Sequence, residues 1–305
     1  MKIGRSGKIA QVEEVMQTQS AHQEDSVKML QNIVWEYYWD NHRSMPWRPT
    51  FKKTAGAISE KISSPQTFPY HVFISEIMLQ QTQVARVIGK FAAFIDRFPS
   101  FDALASASTA DVLTAWQGMG YNRRGLYLLQ SARRVVEEYG GMLPEDPIVL
   151  KTFPGLGPAT AASLLCFAYN KPVVFIETNI RRVFIHHFFN NQEMVHDRDI
   201  MPIVARALDQ AHPRQWYYAL MDYGSHLATT VPNPNRRSRH YARQSAFEGS
   251  VRQVRGAILR TLTKHPQGIA SDALRSTMND ERFDEVIVQL EQEKLVKKVG
   301  SKYVL

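Results

Sequence analysis

The segment Ser75-Glu76-Ile77-Met78-Leu79-Gln80-Gln81-Thr82-Gln83-Val84 places one carboxylate in a helical, largely apolar run and follows it with two glutamines. A carboxylic acid beside Met78 and Leu79 is partly shielded from water. That disfavours its charged form and lets it hold a proton for general-acid work. The amides of Gln80 and Gln81 suit hydrogen bonds to base edges. Downstream lies Phe153-Pro154-Gly155-Leu156-Gly157-Pro158. Gly155 and Gly157 leave backbone N–H groups uncovered, and Pro158 fits the first turn of a helix, so the turn suits an anion such as phosphate. A plain helix–helix corner is the alternative. A second carboxylate, Glu177, follows in Phe175-Ile176-Glu177-Thr178-Asn179. It reads either as an ionised group near the chemistry or as the N-cap of the next helix, and the two roles are compatible.

The chain has 305 residues, enough for two or three domains, and an apolar content of 44%. Lys and Arg number 37 against 29 Asp and Glu, a net charge of +8. That balance suits a polyanionic partner. A proton donor, a phosphate cradle and an anionic stabiliser in one basic chain point to chemistry on a nucleic-acid base. No apolar run is long enough to span a membrane, and Met1-Lys2-Ile3-Gly4-Arg5 is not followed by an apolar stretch of signal-peptide type. The expected location is cytoplasmic, with the nucleoid. The one cysteine, Cys166, reads as a small core residue.

The fold class read from the pattern is all-α, with a small C-terminal α+β domain. Residues 1–25 are polar without a clear period and read as disordered. Residues 26–60 supply a helix over 27–42 and a loop that packs with the second lobe, residues 50–67 being irregular. Residues 61–172 form a six-helix lobe that carries the hairpin turn, and residues 173–230 form a second helical lobe. The spacing predicts helices near 70–81, 84–97, 108–117, 123–139, 145–152, 158–169, 178–189, 198–211 and 214–228. Residues 231–249 read as a basic linker or loop around Arg236, Arg237, Arg239 and Arg243. Residues 250–305 show helices near 250–264, 270–277 and 281–293 and a terminal hairpin around Gly300-Ser301, a winged-helix-like arrangement.

Pro46-Trp47-Arg48, Ser75 through Val84, Gly118-Met119-Gly120-Tyr121, Pro154-Gly155-Leu156-Gly157, Asn179-Ile180-Arg181-Arg182-Val183 and Met221-Asp222-Tyr223-Gly224 occur in this order. Residues from about 30 to 230 thereby resemble the helix-hairpin-helix (HhH-GPD) DNA glycosylases, and within them the MutY-like adenine glycosylases. The resemblance implies a two-lobed enzyme that flips a base out of duplex DNA and cuts its bond to deoxyribose. Glu76 stands where the family has its acid and Glu177 where it has the carboxylate that stabilises the sugar cation. Leu79, Gln80, Gln81, Tyr121, Ala159 and Asn179 match the base pocket and wedge. Gly155, Leu156, Gly157, Arg48, Arg123, Arg236 and Arg237 are the candidate phosphate contacts, although a solvated face is the alternative for Arg123 and Arg124. His186 and His187 are adjacent, face different directions, and read as core or rim.

Four departures from the family matter. Glu177 replaces an aspartate and moves the charge by one methylene, about 1.5 Å. Ala159 stands where bifunctional relatives carry lysine, so no Schiff base and no strand cleavage are expected from it. The four cysteines that hold an iron–sulfur cluster in most relatives have no counterpart, so no such cluster and no protein-held metal are expected. The hairpin turn is the candidate place for a monovalent cation. The C-terminal region does not read as the Nudix-like domain of the family. The leading reading is a monofunctional, monomeric glycosylase that takes double-stranded DNA and removes adenine opposite 8-oxoguanine or G. The others are removal of T or U opposite G, or of a modified base, and a non-catalytic DNA-binding scaffold.

Overall fold

A computed structural model describes residues 6–54, 57–62 and 64–305. In chain order the elements are α1 (Ser6–Asn41), β1 (Thr50–Thr54), β2 (Ala57–Lys61), α2 (Phe68–Leu79), α3 (Val84–Arg97), α4 (Phe101–Ala105), α5 (Thr109–Ala115), α6 (Arg123–Tyr139), α7 (Pro147–Leu150) and α8 (Pro158–Tyr169). They continue with α9 (Thr178–Phe188), α10 (Asp197–Ala207), α11 (Pro213–Thr230), a 3-10 turn (Pro234–Arg237), α12 (Val251–Thr263), β3 (Ile269–Ala270), α13 (Ser271–Met278), α14 (Phe283–Gln292), β4 (Lys297–Val299) and β5 (Lys302–Val304). Among the described residues no helix is long and apolar enough to cross a membrane.

Three expectations need correction. Residues 6–25, read as disordered, are the start of α1, while 1–5 lie outside the described residues. The segment lacks a strong apolar stripe, but its Gln, Glu, Ala and Met content favours helix without one. The stretch read as an irregular loop contains the antiparallel pair β1–β2, in which Lys52 faces Ser59. Nearly all of its residues are exposed, so no alternation of apolar and polar residues announces it. The third correction concerns the grouping of segments. One unit comprises the chain up to Arg43 with Asn170–Ala242, and the other comprises Ser44–Tyr169 with Arg243–Leu305. The β1–β2 hairpin therefore belongs with the hairpin-turn lobe, and the C-terminal segment is not a separate body.

In the first unit, α1 buries Leu30, Val34 and Tyr38. Trp35 of α1 lies 5.7 Å from Trp216 of α11, centroid to centroid. Asp222, with a fully buried side chain, accepts bonds from Arg43 N (2.9 Å) and Nε (2.7 Å), which ties the end of α1 to α11. Residues 231–242 are not a free linker. Pro234, Asn235 and Ser238 are buried. Asn235 Nδ2 donates to Thr178 O (2.9 Å), and Val195 N to Arg237 O (2.8 Å). Proline, asparagine and arginine read as a loop because this segment is held by polar bonds rather than by an apolar face.

In the second unit, α2 is apolar on every side and accordingly buried: Phe73, Ile74, Ile77 and Met78 are all within 1% of full burial. It packs against α8. The C-terminal segment shares the core of this unit. Ile258, Leu262, Leu274, Val286 and Leu290 form one apolar cluster with Leu113 of α5 and Leu126 of α6. Its three strands pair antiparallel in the order β3-β5-β4, and β3 is a two-residue strand too short to carry a sequence signal.

Candidate active site

Glu76 lies in the last turns of α2, half-buried, with Ser75, Ile77 and Met78 buried around it. Its Oε2 accepts a bond from Ser163 Oγ at 2.5 Å. Ser163 sits one turn beyond Ala159 on α8, the helix that the hairpin turn opens, so the turn and the acid are linked through one short helix face. Sequence reasoning missed Ser163. Its only signal was a lone hydroxyl in the apolar run Ser163-Leu164-Leu165-Cys166-Phe167, four residues after Ala159.

The end of α2 is anchored by Arg124, which is 6% exposed. Its Nη1 donates to the carbonyls of Ile77 (2.9 Å), Met78 (2.9 Å) and Gln80, and its Nη2 to Thr82 Oγ1 (2.9 Å), Met119 O (3.2 Å) and Gly120 O (3.1 Å). Those carbonyls have no partner further along α2. Burial lowers the guanidinium to about 10, which leaves it charged at neutral pH. Arg124 is thus a clamp between the Glu76 helix and the Gly118–Tyr121 loop, not the surface phosphate contact considered from sequence. Arg123 is exposed, 3.9 Å from Glu293 and with its guanidinium over the Tyr127 ring.

Gln81 and Tyr121 both hold left-handed backbones, φ 52° and 47°, and both are exposed. Non-glycine residues in that region carry strain and mark functional loops. Leu79 and Gln80 are half-buried, and Gln80 Nε2 donates to Gly155 O (3.1 Å). Gly155 has φ 77°, and a Cβ there would sit 2.6 Å from Tyr127 Cδ2, whereas a Cβ at Gly157 would meet nothing within 4 Å. Gly155→Ala is therefore expected to lower unfolding free energy by about 1–3 kcal/mol. Gly157→Ala should stay within about 0.5 kcal/mol. Urea melts of the two variants check this pair. Leu156 between them is buried, and Ala159 is exposed. Arg48 is half-buried in the segment before β1.

In the first unit Glu177 caps α9. Its Oε1 accepts from Asn179 N (2.7 Å) and Ile180 N (2.9 Å). Burial pushes the carboxyl above its usual range, while those two N–H groups and the charges of Arg182 and Arg181 pull it down. Asn179 supports Glu177: Nδ2 lies 3.4 Å from Glu177 Oε2, and Oδ1 accepts from Arg182 Nη1 (2.6 Å). Gly224 lets α11 pass close, since a Cβ there would be 2.5 Å from Asn179 O. Of the basic loop, Arg236 is exposed, but Arg237 donates to Phe189 O and to Ile185 O (3.2 Å). It caps the C-terminal end of α9, which corrects its reading as a phosphate contact. His187 Nε2 lies 3.0 Å from Tyr223 Oη, and burial lowers this histidine to about 4.

The side chains do not fit an iron–sulfur cluster, because the single cysteine, Cys166, is buried in α8 and the segment after Gly224 has no thiolate. Among the described residues no group of three or more His, Cys, Asp or Glu is placed to hold a metal ion.

Residues 74–204 match the HhH-GPD superfamily of base excision DNA repair proteins. The chain is 32% identical over 245 residues to an adenine DNA glycosylase of Mycobacterium tuberculosis, covering 74% of this chain and 76% of that one. It is 30% identical to the human adenine DNA glycosylase, over 67% of this chain and 36% of that one. Among solved structures, a thermostable thymine-DNA glycosylase superposes with a TM-score of 0.57 at 20% identity, covering 69% of this chain and 91% of that one. An endonuclease III bound to DNA superposes with a TM-score of 0.53 at 12% identity, covering 68% and 89%. The chain belongs to the HhH-GPD superfamily of base excision DNA repair proteins, in its MutY-like adenine glycosylase branch.

Proposed function

We propose that the protein is a monofunctional DNA N-glycosylase of base excision repair that hydrolyses the bond between adenine and deoxyribose, with the adenine mispaired with 8-oxoguanine or G. The choice of adenine follows the named relatives. One observation carries the chemistry. Ser163 has a single hydroxyl proton and two acceptors in reach, Glu76 Oε2 at 2.5 Å and Thr160 O at 3.0 Å. The shorter contact is the one to Glu76: Ser163 Oγ donates to Oε2 and fixes the carboxyl in the apolar end of α2. A carboxylic acid held there among apolar residues is suited to bring the proton that the leaving base requires.

Glu76 delivers that proton to the imidazole-ring nitrogen N7, on the edge that Watson–Crick pairing leaves free. Glycosidic bond cleavage leaves an oxocarbenium-like sugar. Glu177 is the anion that stabilises it; water adds to the sugar carbon and gives its proton to the Glu76 carboxylate, which restores the acid. Ala159 offers no amine, so the strand stays intact. The Gly155–Gly157 turn grips a phosphate through backbone N–H groups, and Gln81 and Tyr121 fill the gap left by the flipped base. The order α12–β3–α13–α14–β4–β5 in the segment from Val251 on supports reading it as winged-helix-like, with a DNA-facing role.

The test is a panel of duplexes carrying A·8-oxoG, A·G, T·G and U·G, incubated and then heated in alkali. Alkali-dependent cleavage at A in the first two is expected. Cleavage only in the T·G or U·G duplex would replace the substrate, a nick without alkali would contradict the monofunctional reading, and no cleavage anywhere would leave a DNA-binding scaffold. Ser163→Ala should slow release roughly tenfold, the worth of one hydrogen bond. Electrophoretic binding of the same duplex checks that affinity is kept.

A further inference from the structure

The second unit carries a groove of about 920 Å³ outside the Glu76 site. One wall is the loop pair with Gln81 and Tyr121, and the other is α12 with Arg252, Arg255 and Arg260. Arg86, Arg123 and Arg124 add three more cations to the lining, against a single carboxylate, Glu293, which pairs with Arg255. Arg252 and Arg260 share one face of α12 with Gly256 midway between them, and the Arg260 guanidinium lies over that glycine, 3.5 Å from where a Cβ would sit. Eight residues of helix span about 12 Å, the axial rise of three to four nucleotides.

This groove is part of the unit's core structure. The α12 helix is rooted in the apolar cluster that includes Leu113 and Leu126, and Gln117 Nε2 donates to Thr263 Oγ1. Tyr121 is already engaged from the α12 side. Its hydroxyl accepts from Arg252 Nη1 (3.2 Å) and from Gln244, and the Arg252 guanidinium lies 5.9 Å from its ring centroid. Gln80 and Tyr127 line the groove and also touch Gly155, so the hairpin turn and the groove lie along one continuous surface interrupted by the Gln81 and Tyr121 loops.

A wedge that enters a duplex has one strand on either side. The hairpin turn, joined to Glu76 through α8, belongs with the strand whose base is extruded. We propose that the α12 groove receives the opposite strand, with Arg252 and Arg260 on its phosphates and Tyr121 on its unpaired base. The C-terminal segment would then be the half of the DNA clamp that holds the backbone of the strand that keeps its base. The proposal rests on the glycosylase reading above.

The experiment compares the native protein with Arg252→Gln/Arg260→Gln, and with Arg260→Gln alone because Arg252 also bonds the Ser245 and Ala246 carbonyls. Thermal melts establish that each variant is folded. Affinity is measured on A·8-oxoG duplexes in which methylphosphonates neutralise three phosphates next to the lesion, either on the 8-oxoG strand or on the A strand. The double variant should bind the unmodified duplex on the order of tenfold more weakly, with a salt slope shallower by about 2 and the single variant by about 1. Neutralising the 8-oxoG strand should weaken the native protein several-fold and the double variant little, whereas neutralising the A strand should weaken both equally. Equal, additive losses from the 8-oxoG strand, or unchanged affinity and slope in both variants, would overturn the proposal. Native protein that releases no adenine would instead overturn the glycosylase reading, and the strand comparison would still report on the groove.

Discussion

Glu76→Gln should lower single-turnover adenine release from an A·8-oxoG duplex by about 10²–10⁴-fold, the range that a positioned general acid supplies. Binding of the same duplex should change little. The amide has the carboxyl's shape, and its oxygen can still accept from Ser163 Oγ, so the end of α2 and its Arg124 clamp keep their geometry. What is lost is the transferable proton. A fall in binding as large as the fall in excision would assign Glu76 to the scaffold instead. Quantified release by mass spectrometry and mobility shift on one batch of protein separate the two outcomes.

The second large effect falls on Glu177, which caps α9 and which we propose supplies the anion. Glu177→Gln keeps an oxygen for Asn179 N and Ile180 N while removing the charge. Stability should stay within about 1 kcal/mol of native, and the rate should drop by roughly 10²–10³, the worth of one preorganised electrostatic contact. Glu177→Ala should lose the rate and about 1 kcal/mol of capping as well. Glu177→Asp should retain or raise activity. Aspartate is a preferred N-cap, and the shorter arm restores the residue type that the family carries at this place. An aspartate variant as inactive as the alanine variant would mean that the pocket is organised around the longer arm. Positional errors near 1 Å are enough for about a hundredfold loss.

How far the sequence carried these conclusions depended on whether a residue's role was periodic, local or remote. The helical body was legible because α3, α6 and α11 have apolar residues at helical spacing, while α2 and α8 are continuous apolar runs of helix length. Glu76 stood out because a carboxylate in such a run is chemically anomalous. The capping role of Glu177 was legible through the helix that follows it. The β1–β2 hairpin was invisible because exposure erases the period of two. The roles of Arg124, Arg237 and Ser163 were illegible for a different reason. Each is fixed by partners distant in sequence, up to 87 positions away for Ser163 and Glu76. An arginine that satisfies the last carbonyls of a helix has the same local sequence as one on a solvated face. The α12 groove belongs to the same class, since Tyr121 and Arg252 are 131 positions apart.

The claim on which the chemistry turns is that the Glu76 proton goes to N7 of the departing purine. Replacing adenine by 7-deazaadenine opposite 8-oxoguanine exchanges that nitrogen for C–H and leaves the Watson–Crick edge intact. The single-turnover release rate of 7-deazaadenine by the native protein should fall to that of Glu76→Gln acting on adenine, with affinity for the duplex kept. Release of 7-deazaadenine at a rate near that of adenine would contradict proton delivery from Glu76.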